Sequence, residues 1–291
     1  MGFVANIFGY VLNFLYELVH NYGLAIILFS ILLKLIMLPI TIKQQKSMKK
    51  SQELQGEINK LKVKYKNNPE LLNQETMNLY KREKISPFSG CLSSILQIFI
   101  FISVFYLVSR PLTYMKKVDP EVVKNYQQEI SQSGQQSNYQ EIQVIELKSA
   151  EDERVNINMN FLGLNLSQVP MQNWQDPKVL IIPALYIVTT FVNIKISTSL
   201  TKKKKEKEKE KQNDKAKDKK DEEKEDDPLE GMEQMTKSMT YTMPIMSIAI
   251  AMIAPLGLSL YWLVSNTLQL IERLVVNKLS KEDKEVEAKK A

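Results

Sequence analysis

The chain has 291 residues, a quarter of them charged, and a formal net charge of +6. One cysteine excludes a disulfide framework within the chain, and one histidine argues against a histidine-based metal site. The nine glycines form no G-x-x-x-x-G-K-S/T or G-x-G-x-x-G run, so no phosphate-cradling loop is read and no cofactor is expected.

The mean hydropathy of -0.23 would suit a soluble protein, but the charges are segregated into blocks. Residues 88–109, 179–194 and 238–271 carry none. About 20 apolar residues cross a hydrocarbon core of roughly 30 Å as a helix. The expected class is therefore an all-α integral membrane protein, with five transmembrane helices, an N-terminal interfacial helix and a helical hairpin outside the bilayer.

In chain order, residues 1–22 place Phe3, Ile7, Val11, Phe14 and Leu18 on one side of a helix and Asn6, Asn13 and Glu17 on another. That pattern predicts an outer interfacial helix rather than a signal peptide, which would need a basic start and a small-residue cleavage site. Residues 23–42 read as span 1, interrupted by Ser30, Lys34, Pro39 and Thr41. Residues 43–87 read as a basic helical hairpin broken at Asn67-Asn68-Pro69, since positions 43–84 hold eleven Lys or Arg against five acids. Span 2 is expected at 88–109, ending before Arg110-Pro111.

The stretch 110–178 is polar and Gln-rich, with six basic and nine acidic residues over 110–177, and reads as an extracytoplasmic loop. Span 3 falls at 179–197. The lysine- and acid-rich run at 198–238 reads as a solvated, disordered or transiently helical cytoplasmic loop. Residues 239–276 exceed one span and must fold back at 255–257 as spans 4 and 5, followed by a basic tail at 277–291. Lys and Arg flanks place the N-terminus outside and the C-terminus inside.

Lys34 lies near the middle of span 1, where a lysine costs about 2.5 to 3.5 kcal/mol on insertion scales unless it pairs, snorkels or meets water. The only acid within the other spans is Glu272, near the inner end of span 5, and the expectation is that it lies too far away to pair. Snorkelling would need about 12 Å of reach, twice a lysine stem. The remaining reading is a hydrated groove. Its expected lining is Ser30, Lys34 and Thr41 of span 1, Gln97 of span 2, and Ser259, Trp262, Asn266 and Gln269 of span 5. Tyr186, Thr190 and Asn193 stand on span 3. For the neutral residues, hydrogen bonding between packed helices is the competing account.

SPFSGCLSSILQIFIFISVFYLVSRPL resembles the N-P-x-x-G-C-L-P-x-x-x-Q signature of the YidC family of membrane protein insertases, which shares a superfamily with the Oxa and Alb proteins. MTYTMPIMSIAIAMIAPLGLSLYWLVSNTLQLIE resembles that family's closing hairpin, and LKLIMLPITIKQQKSMKK its first core span entering the cytoplasmic hairpin. The chain departs at Ser86 and Ser93, and Lys34 stands where the family normally has Arg. The loops at 120–155 and 202–230 look like insertions.

The resemblance implies a non-enzymatic insertase of the bacterial plasma membrane with a positively charged groove. Nascent membrane proteins and membrane lipid are the implied partners. The Sec translocon and, through the basic hairpin and tail, the ribosome are further candidates, and the chain is expected to work as a monomer. The alternative is a small-solute transporter using Lys34 as an anion or proton site, which would predict inverted repeats.

Overall fold

The computed structural model describes residues 2–83, 89–134, 137–212, 242 and 245–290. Signature position Ser86, most of the charged run 198–238, and residues 239–241 and 243–244 of the expected fourth span lie outside the described residues. Two compact units are present, one built from Met1–Met37, Gln97–Phe191 and Ile245–Ala291 and the other from Leu38–Leu96 and Val192–Pro244.

The first unit opens with helix α1 (Gly2–Val19), within the stretch 1–22 read as a helix. It stops at His20, whose φ of 48° leaves the helical region. Asn21 then caps α2 (Tyr22–Lys64), its Oδ1 accepting from Leu24 N at 3.0 Å, while its Nδ2 donates to the Asn160 carbonyl at 2.6 Å. One side of α1 lies against a π-helical turn (Leu112–Lys116). At Gly9 a Cβ would stand 1.7 Å from the Tyr114 carbonyl oxygen, so only glycine allows this approach. Lys116 Nζ donates to Glu17 at 2.9 Å and lies 4.8 Å from the Tyr16 ring centroid; Lys117 bonds Asn6. The opposite side of α1 exposes Phe3, Ile7, Tyr10, Phe14 and Leu18.

Helix α4 (Ser89–Ser109) ends before Pro111, which cannot supply a backbone N–H. Beyond it, the stretch expected as a loop at 110–178 is folded. Asp119 caps α5 (Pro120–Gln132), α6 (Gln140–Lys148) follows, and β1 (Asn160–Phe161) pairs antiparallel with β2 (Leu164–Asn165). Val123 and Ile130 of α5 and Ile142, Val144 and Ile145 of α6 join the same apolar core as the long helices. This apolar stripe is sparse among glutamines and charges, which is why composition pointed to a loop.

A single 3-10 turn (Pro177–Leu180) leads into α7 (Ile181–Gln212), which continues past the expected end of span 3 at 197 into the lysine run. Helix α8, described over 245–253, ends at a bend, and α9 (Leu256–Lys290) carries span 5 and the basic tail as one helix. The break between α8 and α9 falls at residues 254–255. It is held by the 166–171 strand of chain: Leu256 N donates to the Gln168 carbonyl at 2.9 Å, Gly257 N to the Leu166 carbonyl at 3.0 Å, and Met171 N to the Met252 carbonyl at 2.9 Å. Ala25, Ile26 and Phe29 of α2, Val104, Leu107 and Val108 of α4, Ile182 and Tyr186 of α7, and Leu258, Tyr261 and Trp262 of α9 form the core.

In the second unit α2 continues past Pro39 without a break and turns at 65–67 into α3 (Pro69–Arg82). Asn68 Oδ1 accepts from Leu71 N at 3.1 Å, and Pro69 takes the first helical position, where its missing N–H costs nothing. Leu54 and Ile58 of α2 pack on Leu79 and Tyr80 of α3, with Leu61 beside them, so the expected hairpin has its own small core. Arg82 adds an ion pair to Glu57 at 3.1 Å.

By length and hydropathy, Gly2–Val19, Tyr22–Gln45 and Pro177–Ile196 are each able to cross a membrane, with Ile95–Ser109 a shorter apolar helix, among the described residues. The chain is thus a mostly helical protein with several apolar helices of membrane length.

Two predictions follow from these contacts. Gly9→Ala is expected to push α1 off the 112–116 turn at a cost of about 1 to 3 kcal/mol, seen as several-fold faster tryptic cleavage after Lys116 and Lys117 in the detergent-solubilised chain. The second concerns Glu141, which is buried; it accepts from Thr113 N at 2.9 Å and Thr113 Oγ1 at 2.5 Å, yet burial pushes its carboxyl above the ordinary value of 4.5. Its folded form binds the proton more tightly than the unfolded one. Its stabilising contribution is therefore whole below 4.5 and lost as pH rises through the folded value. Glu141→Gln is expected to flatten the fall in melting temperature as pH rises above 4.5.

Candidate functional site

Lys34 is paired. Its Nζ forms an ion pair with Glu272 Oε2, which corrects the expectation that the acid of span 5 is too distant. Two features close the gap. Near their starts α2 and α9 lie side by side, a Cβ at Gly257 falling 3.4 Å from the Tyr22 ring and 3.6 Å from Ile26. Their contact at Lys34 and Glu272 shows them running in the same sense. Side chains on a helix lean toward its N-terminus, so Glu272 reaches back toward the lysine, and the separation is shared by two side chains rather than spanned by one.

The pair is asymmetric. Glu272's side chain is 4% exposed and Lys34's is 24% exposed, so the lysine is the open member and the carboxylate the enclosed one. Joined, the two charges make a neutral unit; a central lysine alone would cost about 2.5 to 3.5 kcal/mol on insertion scales. Removing one partner of a buried pair typically costs about 3 to 5 kcal/mol, because the other is left uncompensated. The inference of a hydrated groove from an uncompensated charge is thereby removed, since the charge has its counter-ion.

The other expected groove residues differ in their contacts. Ser30 and Ser259 are buried and donate to main-chain carbonyls, Ser30 to Ile26 at 2.7 Å and Ser259 to Ala251 at 2.9 Å across the α8–α9 turn. Trp262 is buried in an aromatic stack, its ring 5.4 Å from Phe101 with planes 6° apart and 5.7 Å from Tyr186. Its Nε1 has no hydrogen-bond partner among the described residues. Asn266 Nδ2 donates to Thr190 Oγ1 at 2.7 Å, joining α9 to α7, and Tyr186 donates to Ser247 at 2.6 Å. For Ser259, Asn266 and Tyr186 the contacts are hydrogen bonds between packed helices, whereas Ser30 bonds within its own helix and Trp262 packs through its rings. Gln97 is exposed and Gln269 half-buried. Thr41 lies in the other unit, where its hydroxyl donates to the Leu38 carbonyl at 3.0 Å.

Glu272 is the site residue that the sequence reading set aside. The signal was present: it follows Gln269 by three positions and Ser265 by seven, so it extends the polar side of span 5 toward the inner end.

A mostly helical chain with apolar helices of membrane length is a membrane protein, and an ion pair lies between two of its helices. The chain belongs to the 60Kd inner membrane protein family, which matches residues 14–284. Over 283 residues, 96% of the chain, it is 26% identical to the membrane protein insertase YidC of Treponema denticola, of which it covers 39%. It is 41% identical over 108 residues to the membrane protein insertase YidC of Caldanaerobacter subterraneus, covering 37% of this chain and 52% of that protein. With the same-named protein of Fusobacterium nucleatum it shares 44% identity over 96 residues, 33% of this chain and 47% of the relative. The chain thus spans about half or less of these relatives, all of them bacterial membrane proteins.

The Asn266 to Thr190 bond is testable by itself. A double-mutant cycle of Asn266→Leu and Thr190→Val, read by thermal unfolding in detergent, is expected to give a coupling of about 0.6 kcal/mol, the usual size for an interhelical hydrogen bond in a membrane protein.

Proposed function

We propose that this chain is a membrane protein insertase, moving nascent hydrophobic segments and short polar flanks into the lipid bilayer. The observation that carries the reading is the family match along 14–284 together with relatives named membrane protein insertase. The layout proposed with it has five spans, the N-terminus outside and the C-terminus inside. The folded segment 110–178 then lies outside, and the basic hairpin of α2 and α3 lies in the cytoplasm to recruit the nascent chain. The tie of α1 to the 112–117 turn, with its apolar side left open, supports an interfacial placement for that helix.

Within this reading Lys34, Gln97 and Gln269 are the polar groups that meet the substrate, while Ser30, Ser259, Trp262 and Asn266 form the wall behind them. Thr41 is proposed as a polar position further along α2. The lysine lowers the cost of bringing an acidic flank into the membrane and makes or breaks no bond. No enzymatic step is assigned. The Sec translocon and the ribosome remain proposed partners, and the monomer the proposed working state.

Rescue of a strain depleted of its own insertase tests the reading. Lys34→Arg is expected to rescue fully, because it keeps both the charge and the pair with Glu272. Lys34→Ala is expected to rescue weakly, and Lys34→Glu least, because it sets two carboxylates against each other. Equal rescue by all three at equal protein levels would count against a role for the charge. A photocrosslinker at position 34 that captures only lipid, never a stalled nascent chain, would overturn the insertase reading.

A further inference from the structure

We propose that Glu272 is an internal stand-in for the substrate's acidic group and so sets which polar flanks the protein accepts. The inference rests on the insertase reading above. In the resting chain the enclosed carboxylate of Glu272 neutralises Lys34, and the lysine keeps its open side. A segment whose flank carries Asp or Glu approaches that side and exchanges for Glu272, so one ion pair is replaced by another and the lysine is never left bare in the bilayer. A neutral flank offers nothing to exchange. The resting pair is therefore a competitor: an acidic flank must displace Glu272 to reach Lys34, which tempers the preference for anions, while a neutral flank does not draw on the lysine.

Three observations carry the proposal. The pair is asymmetric in exposure, and its open member is the cation, which is the partner an anion needs. Gln269, three residues before Glu272, lies on the same side of α9, within reach of a carboxylate that has been displaced. The neighbouring polar groups of the bundle, Asn266, Thr190, Tyr186, Ser247, Ser30 and Ser259, are already bonded within the protein, so they offer an incoming anion no comparable site. A purely structural ion pair would be served as well by an enclosed lysine.

The test uses the purified full-length chain in vesicles of phosphatidylcholine, which has no net charge, so no lipid anion competes for Lys34. Matched single-span reporters differ only in one flank residue, Asp, Asn or Lys, and insertion is read by protease protection. Glu272→Gln, nearly the same shape without the charge, is expected to raise the Asp-to-Asn insertion ratio roughly tenfold over the unchanged chain, as removal of a competitor that occupies the lysine about nine-tenths of the time requires. The double exchange Lys34→Glu with Glu272→Lys keeps a pair but makes the open member acidic. It is expected to shift preference from the Asp to the Lys flank. Lys34→Gln with Glu272→Gln is expected to insert Asn flanks while losing the Asp preference. If Glu272→Gln lowers insertion of all flanks alike and the double exchange restores them alike, the pair is structural and the proposal is overturned. An unchanged chain that inserts no reporter at all overturns the insertase reading instead.

Discussion

A lysine in the middle of an apolar helix has few stable solutions in a bilayer, and this chain adopts the one that needs a second helix. Lys34 and Glu272 neutralise each other between α2 and α9. Every large feature of the first unit is compatible with that meeting and several are needed for it. Helices α2 and α9 must start at the same level, which the close contact of Tyr22 and Ile26 with Gly257 provides. Helix α9 must also start at a defined point, which the 166–171 segment ensures by accepting from Leu256 and Gly257 and donating to Met252. Buried main-chain groups at a helix turn need such partners, so the segment that looks peripheral in sequence is what registers the helices.

Around that pair the wall is closed by short polar bonds and stacked rings rather than left open. Thr190 with Asn266 and Tyr186 with Ser247 stitch α7 to its neighbours, and Phe101, Trp262 and Tyr186 fill the space between. Without a hydrophobic driving force between helices in lipid, close packing and hydrogen bonds of this kind are what hold helices together. The polar residues of the spans thus divide by exposure. Those enclosed serve packing, whereas Gln97 is exposed and the side chain of Lys34 is 24% exposed.

Much of this was legible in the residues. Helical periods, the Asn68-Pro69 break and the Pro255-Leu256-Gly257 turn each appear where local chemistry demands them, because helix starts, stops and breaks depend on a few neighbouring side chains. The core of 110–178 was not legible, since Val123, Ile130, Ile142 and Ile145 form a thin stripe within a polar stretch and find their partners only in other elements. The pairing of Lys34 was missed for a related reason. Comparing a lysine stem with the distance to the membrane edge ignores the second side chain, and α9's register beside α2 is not written in either helix alone.

The amino-acid sequence by itself determined that this is a helical membrane protein, where its helices bend and break, and that one lysine stands where lipid would expel it. Those properties follow from hydropathy, proline and glycine chemistry and helix capping, all of them local. Tertiary structure alone decided that Glu272 answers the lysine, that Asn266 and Thr190 bond each other, and that 110–178 folds against the helix ends. These depend on residues far apart in the chain coming within a few ångströms, and the physical cause is the register in which apolar helices pack, which no single stretch specifies.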